Sequence, residues 1–150
     1  MIHKNLGNKF EYLVNKYGDK TCLQINNSQI SFKKLNIISN QISNFFIKKG
    51  FKENDNICIS SKKNIFSYAI IIACLKLGIS YTFLDRQSPI ERIKKILKSL
   101  KSAAIISEKK INLKKKNFLF KDLQKKIINK KRILQKNYLN KVKPSTIAYV

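Results

Sequence analysis

A chain of 150 residues, 43% of them hydrophobic, is long enough to bury one domain core, which excludes an intrinsically disordered protein. Its 32 Lys and Arg residues stand against 8 Asp and Glu residues, a formal net charge of +24. Only Arg86, Arg92 and Arg132 carry the guanidinium that base-reading surfaces favour, so specific nucleic-acid recognition is not indicated, and the lysine excess fits a bias towards A- and T-rich codons.

The first 50 residues predict two helices with a hairpin between them. Apolar residues recur at the 3, 4 and 7 spacings of an amphipathic helix, and short alternating runs are typical of strands. Turn-forming Asn and Ser residues separate the two runs, and glycines follow both helical stretches. The predicted elements are a helix over 8–17 ended by Gly18, strands 21–25 and 29–32, and a helix from Ser31 to Gly50.

The middle of the chain contains an apolar stretch, 65–84, that is about as long as a membrane span. Lys76 falls near its centre, at a cost of roughly 2.5–3.5 kcal/mol in a bilayer, and Gly78 interrupts it. We therefore favour no membrane span here and predict a strand over 56–60, a buried helix over 64–77 closed by Gly78, and a strand over 79–84.

Residues 88–91 have the sequence of a helix start. Ser88 is predicted to cap the helix, Pro89 suits its first position, and Glu91 completes a capping box. The elements predicted after this start are a helix with buried Ile90, Ile93, Leu97 and Leu100, a strand over 103–107, a charged loop over 109–116, a short strand over 118–120, a helix running into a linker over 121–143, and an apolar run over 146–150.

Strands and helices that alternate at these spacings predict an α/β fold, with a mostly parallel sheet, crossover helices and a small N-terminal hairpin. The three cysteines, Cys22, Cys58 and Cys74, lie in apolar runs without metal-site spacing, which favours a reducing compartment such as the cytoplasm. The first 20 residues contain no apolar segment of a signal peptide.

The residue types that carry chemistry form no recognisable site in this chain. His3 lies at the chain end, and four isolated glycines cannot form a phosphate-cradling loop. Asp85 stands out because it follows a predicted strand, where open α/β sheets place clefts, but a turn-forming role is favoured over catalysis. We therefore assign no catalytic, cofactor-binding or metal-binding residue. The carboxylates considered were Glu11, Asp19, Glu53, Asp55, Asp85, Glu91, Glu108 and Asp122.

Six segments resemble, in order and spacing, the motifs of adenylate-forming enzymes, above all the amino-acid adenylation domains of non-ribosomal peptide synthetases and related acyl-CoA ligases. The sequence departs from these motifs at Phe83 and Arg86, which replace prolines, and at Asn54, which replaces a turn glycine. The segments are 30–35 (similar to "(L/F)TYxEL"), 50–57 ("GVxxGDxV"), 75–85 ("LKAGxAYVPLD"), 88–93 ("YPxERL"), 102–107 ("SGAxxxLT") and 146–150 ("DLAYV(I/M)").

The resemblance implies that residues 1–150 are a partial AMP-binding domain, the N-terminal portion of the large lobe, which stops before the phosphate-binding loop. It implies ATP- and Mg2+-dependent activation of an amino-acid or fatty-acyl carboxylate, followed by thioester formation on a carrier protein or coenzyme A. The expected partner is the missing C-terminal part of the domain, and no ATP or Mg2+ is expected to bind this chain alone.

Two other hypotheses remain at this point. The chain is a remnant without chemistry that acts as a basic binding module, or it binds nucleic acid without sequence specificity. The lysine-rich composition supports electrostatic contacts with phosphates in either case, and such contacts weaken steeply with salt.

Overall fold

The computed structural model of the chain describes residues 5–85, 87–112, 116–128 and 141–150. Arg86, part of the charged loop and most of the predicted linker lie outside the described residues. The helices are α1 (Leu6–Tyr17), α2 (Phe32–Lys48), α3 (Ile65–Leu77), α4 (Ile90–Ser99) and α5 (Phe120–Ile128). The strands are β1 (Thr21–Ile25), β2 (Ser28–Ser31), β3 (Asn56–Ser60), β4 (Ser80–Phe83), β5 (Ala104–Ser107) and β6 (Lys116–Leu119).

Four strands form a parallel sheet in the order β4-β3-β5-β6. Helix α3 connects β3 to β4 and α4 connects β4 to β5, so both connections are crossovers of the kind that parallel strands require. In the register, Ile57 of β3 lies between Tyr81 of β4 and Ala104 of β5. The predicted α/β class is therefore confirmed.

The predicted N-terminal hairpin is also confirmed, as an antiparallel pair of β1 and β2 outside the main sheet. Asn26 begins its turn with φ of 51°, a left-handed conformation that asparagine tolerates better than most residues. Ser31 then caps α2 as expected, because its Oγ accepts a hydrogen bond from the Lys34 amide at 3.3 Å.

Helix α3 is the buried helix that the apolar stretch predicted. Asn64 and Ser67 form a capping box at its start, and Gly78 ends it in the left-handed conformation with φ of 67°. The helix has 13 residues, whereas a membrane span needs about 20. Within the described ranges, no helix is long and apolar enough to cross a membrane.

The sheet separates two apolar clusters. On one face, Ile57, Ile59 and Ile106 pack with apolar side chains of α2, α3 and α5. On the other face, Cys58 and Ile105 pack with Leu84 and two residues of α4. Side chains of neighbouring strand residues thus alternate between the faces, and helices cover both. This is why the strands read as continuous apolar runs rather than alternating ones.

The predicted cap of α4 is wrong. The helix begins at Ile90 after Pro89, and no side chain caps it. The Ser88 amide instead donates to the Asp85 carbonyl at 3.1 Å, so Ser88 belongs to the turn after β4 and lies too far upstream to cap the helix. Glu91 pairs with Lys94 at 2.7 Å rather than completing a capping box.

Helix α1 ends before Gly18 as predicted, whereas the start of β6 differs from its prediction. Gly18 follows α1 with helical angles, φ −41° and ψ −48°, and not in the left-handed conformation that often ends helices. Strand β6 begins two residues earlier than expected, and Phe120 already starts α5 because its side chain is buried against the core.

Candidate functional site

An open cleft of about 900 Å3 lies at the carboxyl ends of the parallel strands, where α/β folds place ligands. The polar residues that follow three strands meet here: Ser60 and Ser61 at the end of β3, Asp85 after β4, and Glu108 after β5. Topology therefore brings together side chains that are far apart in the sequence. The lysines that line the same cleft are Lys63, Lys109 and Lys110.

The two carboxylates at this cleft have structural partners. Asp85 is exposed, and its Oδ1 accepts a hydrogen bond from the Gln87 amide at 3.0 Å, which gives it the turn-forming role expected from the sequence. Glu108 Oε1 accepts from the Lys62 amide at 2.9 Å. Both side chains thus shape loops.

Ser61 contributes a buried hydroxyl to the wall of the cleft. Its buried hydroxyl has no hydrogen-bond partner among the residues that the structure describes. A buried hydroxyl that stays unpaired costs about 1–3 kcal/mol. The oxygen itself is shielded from solvent and therefore from a ligand in the open cleft.

The cleft residues do not include a phosphate-binding loop for ATP. The sequence has four separated glycines, so it lacks a glycine-rich loop whose amides could surround phosphates. Across the described ranges, no group of three or more His, Cys, Asp or Glu residues could hold a metal ion. The cleft lysines supply positive charge alone, so we assign no catalytic step to these residues.

A second polar cluster lies between the helices, and sequence reasoning missed it. Lys76 is fully buried, and its Nζ pairs with Glu11 Oε1 at 2.6 Å and with the side-chain oxygens of Asn36 and Asn40. Burial lowers the pKa of Lys76, and the pairing with Glu11 opposes this shift. A signal was present: Asn36 and Asn40 are four residues apart on a helix, so both can face one cation.

Glu53 holds the end of the chain to the turn before β3. Its Oε1 accepts from Thr146 Oγ1 at 2.7 Å and from the Lys143 amide at 3.2 Å, and these hydrogen bonds hold the pKa of Glu53 below its usual range. Nearby, Asn5 Nδ2 donates to the Val142 carbonyl at 3.0 Å. The sequence placed Glu53 in a turn but gave no indication of these partners.

The last residues extend the sheet at its β4 edge. The Tyr81 amide donates to the Ala148 carbonyl at 2.9 Å, and the Val150 amide donates to the Tyr81 carbonyl at 3.2 Å. Tyr149 thereby forms a parallel bridge with Tyr81. The apolar run predicted over 146–150 therefore lies as the next parallel segment of the sheet.

Comparison with solved structures shows the same fold. The N-terminal subdomain of NpsA from Klebsiella oxytoca, in complex with 3-hydroxybenzoyl-AMSN, matches with a TM-score of 0.79 at 14% identity, over 87% of this chain and 33% of that one. The nonribosomal peptide synthetase FmoA3 matches with a TM-score of 0.78 at 18% identity, over 97% of this chain and 16% of that one.

The sequence relatives are peptide synthetases. Gramicidin S synthase 1 from Brevibacillus brevis is 30% identical over 106 residues, which cover 71% of this chain and 10% of that protein. Tyrocidine synthase 1 from Brevibacillus parabrevis is 25% identical over 109 residues, or 73% of this chain and 10% of that protein. The chain thus spans about a tenth of each of these relatives. The model of the AMP-binding enzyme family matches residues 10–148, so this protein belongs to the AMP-binding enzymes.

Proposed function

We propose that residues 1–150 are the N-terminal part of an ATP-dependent ligase that activates an amino-acid or fatty-acyl carboxylate as an adenylate, and that this part is inactive alone. The proposal rests on the segment that ends at Val150, which pairs in parallel with the β4 edge through Tyr149 and Tyr81. It also rests on the family match over residues 10–148. In the family pattern, this segment runs directly into the phosphate-binding loop. ATP and Mg2+ would then bind to residues that follow the position of Val150.

The partners of the proposed ligase follow from its membership of the AMP-binding family. The rest of the adenylation domain would cover the β4 edge, and a carrier protein or coenzyme A would accept the acyl group. One similar solved structure is an artificial fusion of the Klebsiella oxytoca adenylation enzyme NpsA with a carrier domain, which supports a carrier protein. Cys22, Cys58 and Cys74 form no disulfide, which supports a reducing compartment such as the cytoplasm.

ATP–pyrophosphate exchange tests the proposal directly. A panel of amino and fatty acids is assayed with the 150-residue chain, and separately with the chain plus the polypeptide encoded directly downstream of it. We expect exchange only with the combination, because groups that stabilise the charge on the transferring phosphate usually supply the largest catalytic term. Exchange by the chain alone would show that its own residues form a complete site. No exchange by the combination would favour the basic binding module.

A further inference from the structure

Residues 142–150 are held by three side-chain or backbone anchors from distant parts of the chain. Asn5 at the start of α1 binds the beginning of the segment, Glu53 in the turn before β3 binds its middle, and Tyr81 of β4 binds its end. Because the three anchors follow one another along the segment, they fix its direction across the ends of α3 and β4. A fixed direction is what a strand needs in order to pair in one register.

The anchor at Glu53 differs from the other two in its charge. One carboxylate oxygen accepts both a hydroxyl and an amide hydrogen, and hydrogen bonds to ionised acceptors are roughly twice as strong as neutral ones. Apolar packing contributes less at the end of the segment, because Ile147, Tyr149 and Val150 are 64%, 61% and 48% exposed. The carboxylate therefore adds to the burial of Val142 and to the contact between the Tyr149 and Tyr81 rings, whose centroids are 5.3 Å apart.

The position of Glu53 is itself fixed by its turn. Asn54 adopts φ of 70° where the family pattern has glycine, and its amide donates to the Gly78 carbonyl at 2.9 Å. A Cβ atom on Gly78 would lie 2.9 Å from Glu53 Cγ and 3.1 Å from a methyl group of Val142. Gly78 thus leaves space for Glu53 and Val142 to cross the end of α3 together.

We propose that Glu53 is a positioning residue: its carboxylate holds residues 143–146, and thereby sets the register in which residues 148–150 pair with β4. The contacts within the chain carry this inference by themselves. Its catalytic consequence rests on the proposed function, since the register of this segment would decide where the residues after Val150 enter the ligase site.

Hydrogen exchange of single amides tests the proposal without ATP. The Tyr81 amide reports docking, because it donates to the segment, and the Leu84 amide reports the core, because it donates to Ile59 in β3. In the Glu53→Ala variant we expect the Tyr81 protection factor to fall about tenfold or more while that of Leu84 is unchanged. The Glu53→Gln variant keeps an acceptor oxygen and should retain an intermediate protection.

The pH dependence separates the contribution of the Glu53 charge from that of its side-chain packing. The folded pKa of Glu53 is depressed, so its contribution is present above the ordinary glutamate pKa and is lost as pH falls through the folded value. The Tyr81 protection factor of the unmodified chain should therefore decrease in acid. That of the Glu53→Gln variant should not follow this titration.

Two further variants complete the design. Thr146→Val removes the hydroxyl donor from the segment itself, and combined with Glu53→Ala it should add less than the sum of the single effects. Glu91→Gln, at an exposed carboxylate paired with Lys94, is the matched control and should leave Tyr81 unchanged. Unchanged Tyr81 protection in the Glu53→Ala variant would overturn the proposal, as would an equal loss at Leu84.

Discussion

The ammonium group of Lys76 is surrounded by oxygen atoms from two other helices: Glu11 of α1, and Asn36 and Asn40 of α2. Moving an unpaired ammonium out of water costs several kcal/mol, so these acceptors are needed wherever Lys76 is buried. The cluster therefore restricts how α1 and α2 can pack on α3. The Lys76 side chain is fully buried, which fits a structural role of the cluster rather than contact with a substrate.

Removing Lys76 alone from this cluster should cost more free energy of unfolding than replacing Lys76 and Glu11 together. We expect Lys76→Ala to lower the free energy of unfolding by about 3–5 kcal/mol, because Glu11 and the two amides lose their cation and a cavity forms. The double variant Lys76→Met with Glu11→Gln keeps the volume and leaves no charge unpaired, but Asn36 and Asn40 still lose a hydrogen-bond donor, so it should cost about 1–3 kcal/mol. Urea denaturation measures both.

The exposed pair of Lys94 and Glu91 is the matched control for the buried one. Its distance is similar, 2.7 Å, but the two side chains are 49% and 71% exposed. Lys94→Ala should therefore change the free energy of unfolding by less than about 0.5 kcal/mol. Equal effects of Lys76→Ala and Lys94→Ala would contradict the assignment of a buried, stabilising cluster.

Helices α1 and α3 approach closely at Gly7. A Cβ atom at Gly7 would lie 2.9 Å from the Lys76 Cα atom and 3.1 Å from the Leu75 carbonyl oxygen, both backbone atoms that cannot turn away. Gly7 thus sets the distance between the two helices, and with it the distance that Glu11 must span to reach Lys76.

Two opposing terms decide the effect of Gly7→Ala. Alanine has the better helix propensity by about 0.5–1 kcal/mol, but overpacking between two backbones costs about 1–3 kcal/mol. We expect the second term to prevail, so that the variant melts at a lower temperature. Gly18→Ala is the control, because Gly18 already has helical angles and its added Cβ would meet the Val14 carbonyl oxygen of the same helix at 3.1 Å but no atom of another helix closer than Lys33 Cβ at 3.8 Å. A Gly7→Ala variant that is more stable than the unmodified chain would rule out the close approach.

At the scale of the whole molecule, an exposed sheet edge is combined with high positive charge. The segment that ends at Val150 presents exposed apolar side chains and backbone groups beyond β4. Such an edge is a template for association with another chain. The formal net charge of +24 opposes association through repulsion between molecules.

The salt concentration should decide whether edge association or charge repulsion prevails. Because ions screen charges beyond roughly 10 Å at 0.1 M, we expect the 150-residue chain to be monomeric in dilute buffer and to self-associate as salt rises. Light scattering over a salt series measures this. Tyr149→Lys adds a charge to the edge and should keep the chain monomeric at higher salt. A monomer with one sharp melting transition at every salt concentration would refute the prediction.

Local sequence patterns were sufficient to predict most of the secondary structure. The helical period and the cap at Ser31 located α2, and the apolar run closed by Gly78 located α3. These patterns work because capping, turns and periodicity involve residues only a few positions apart. The capping pattern at Ser88 gave a wrong prediction because Ser88 lies in the turn after β4, where its amide donates to the Asp85 carbonyl.

The sequence by itself determined the α/β class, the order of strands and helices, and the resemblance to adenylate-forming enzymes. Only the tertiary structure decided the partners of Lys76 and Glu53, which lie 65 and 93 positions away at Glu11 and Thr146. Periodicity tells which face a side chain occupies, but it does not tell which distant element packs there. A lysine or glutamate is compatible with solvent until that packing surrounds it, so its role appears only in the folded chain.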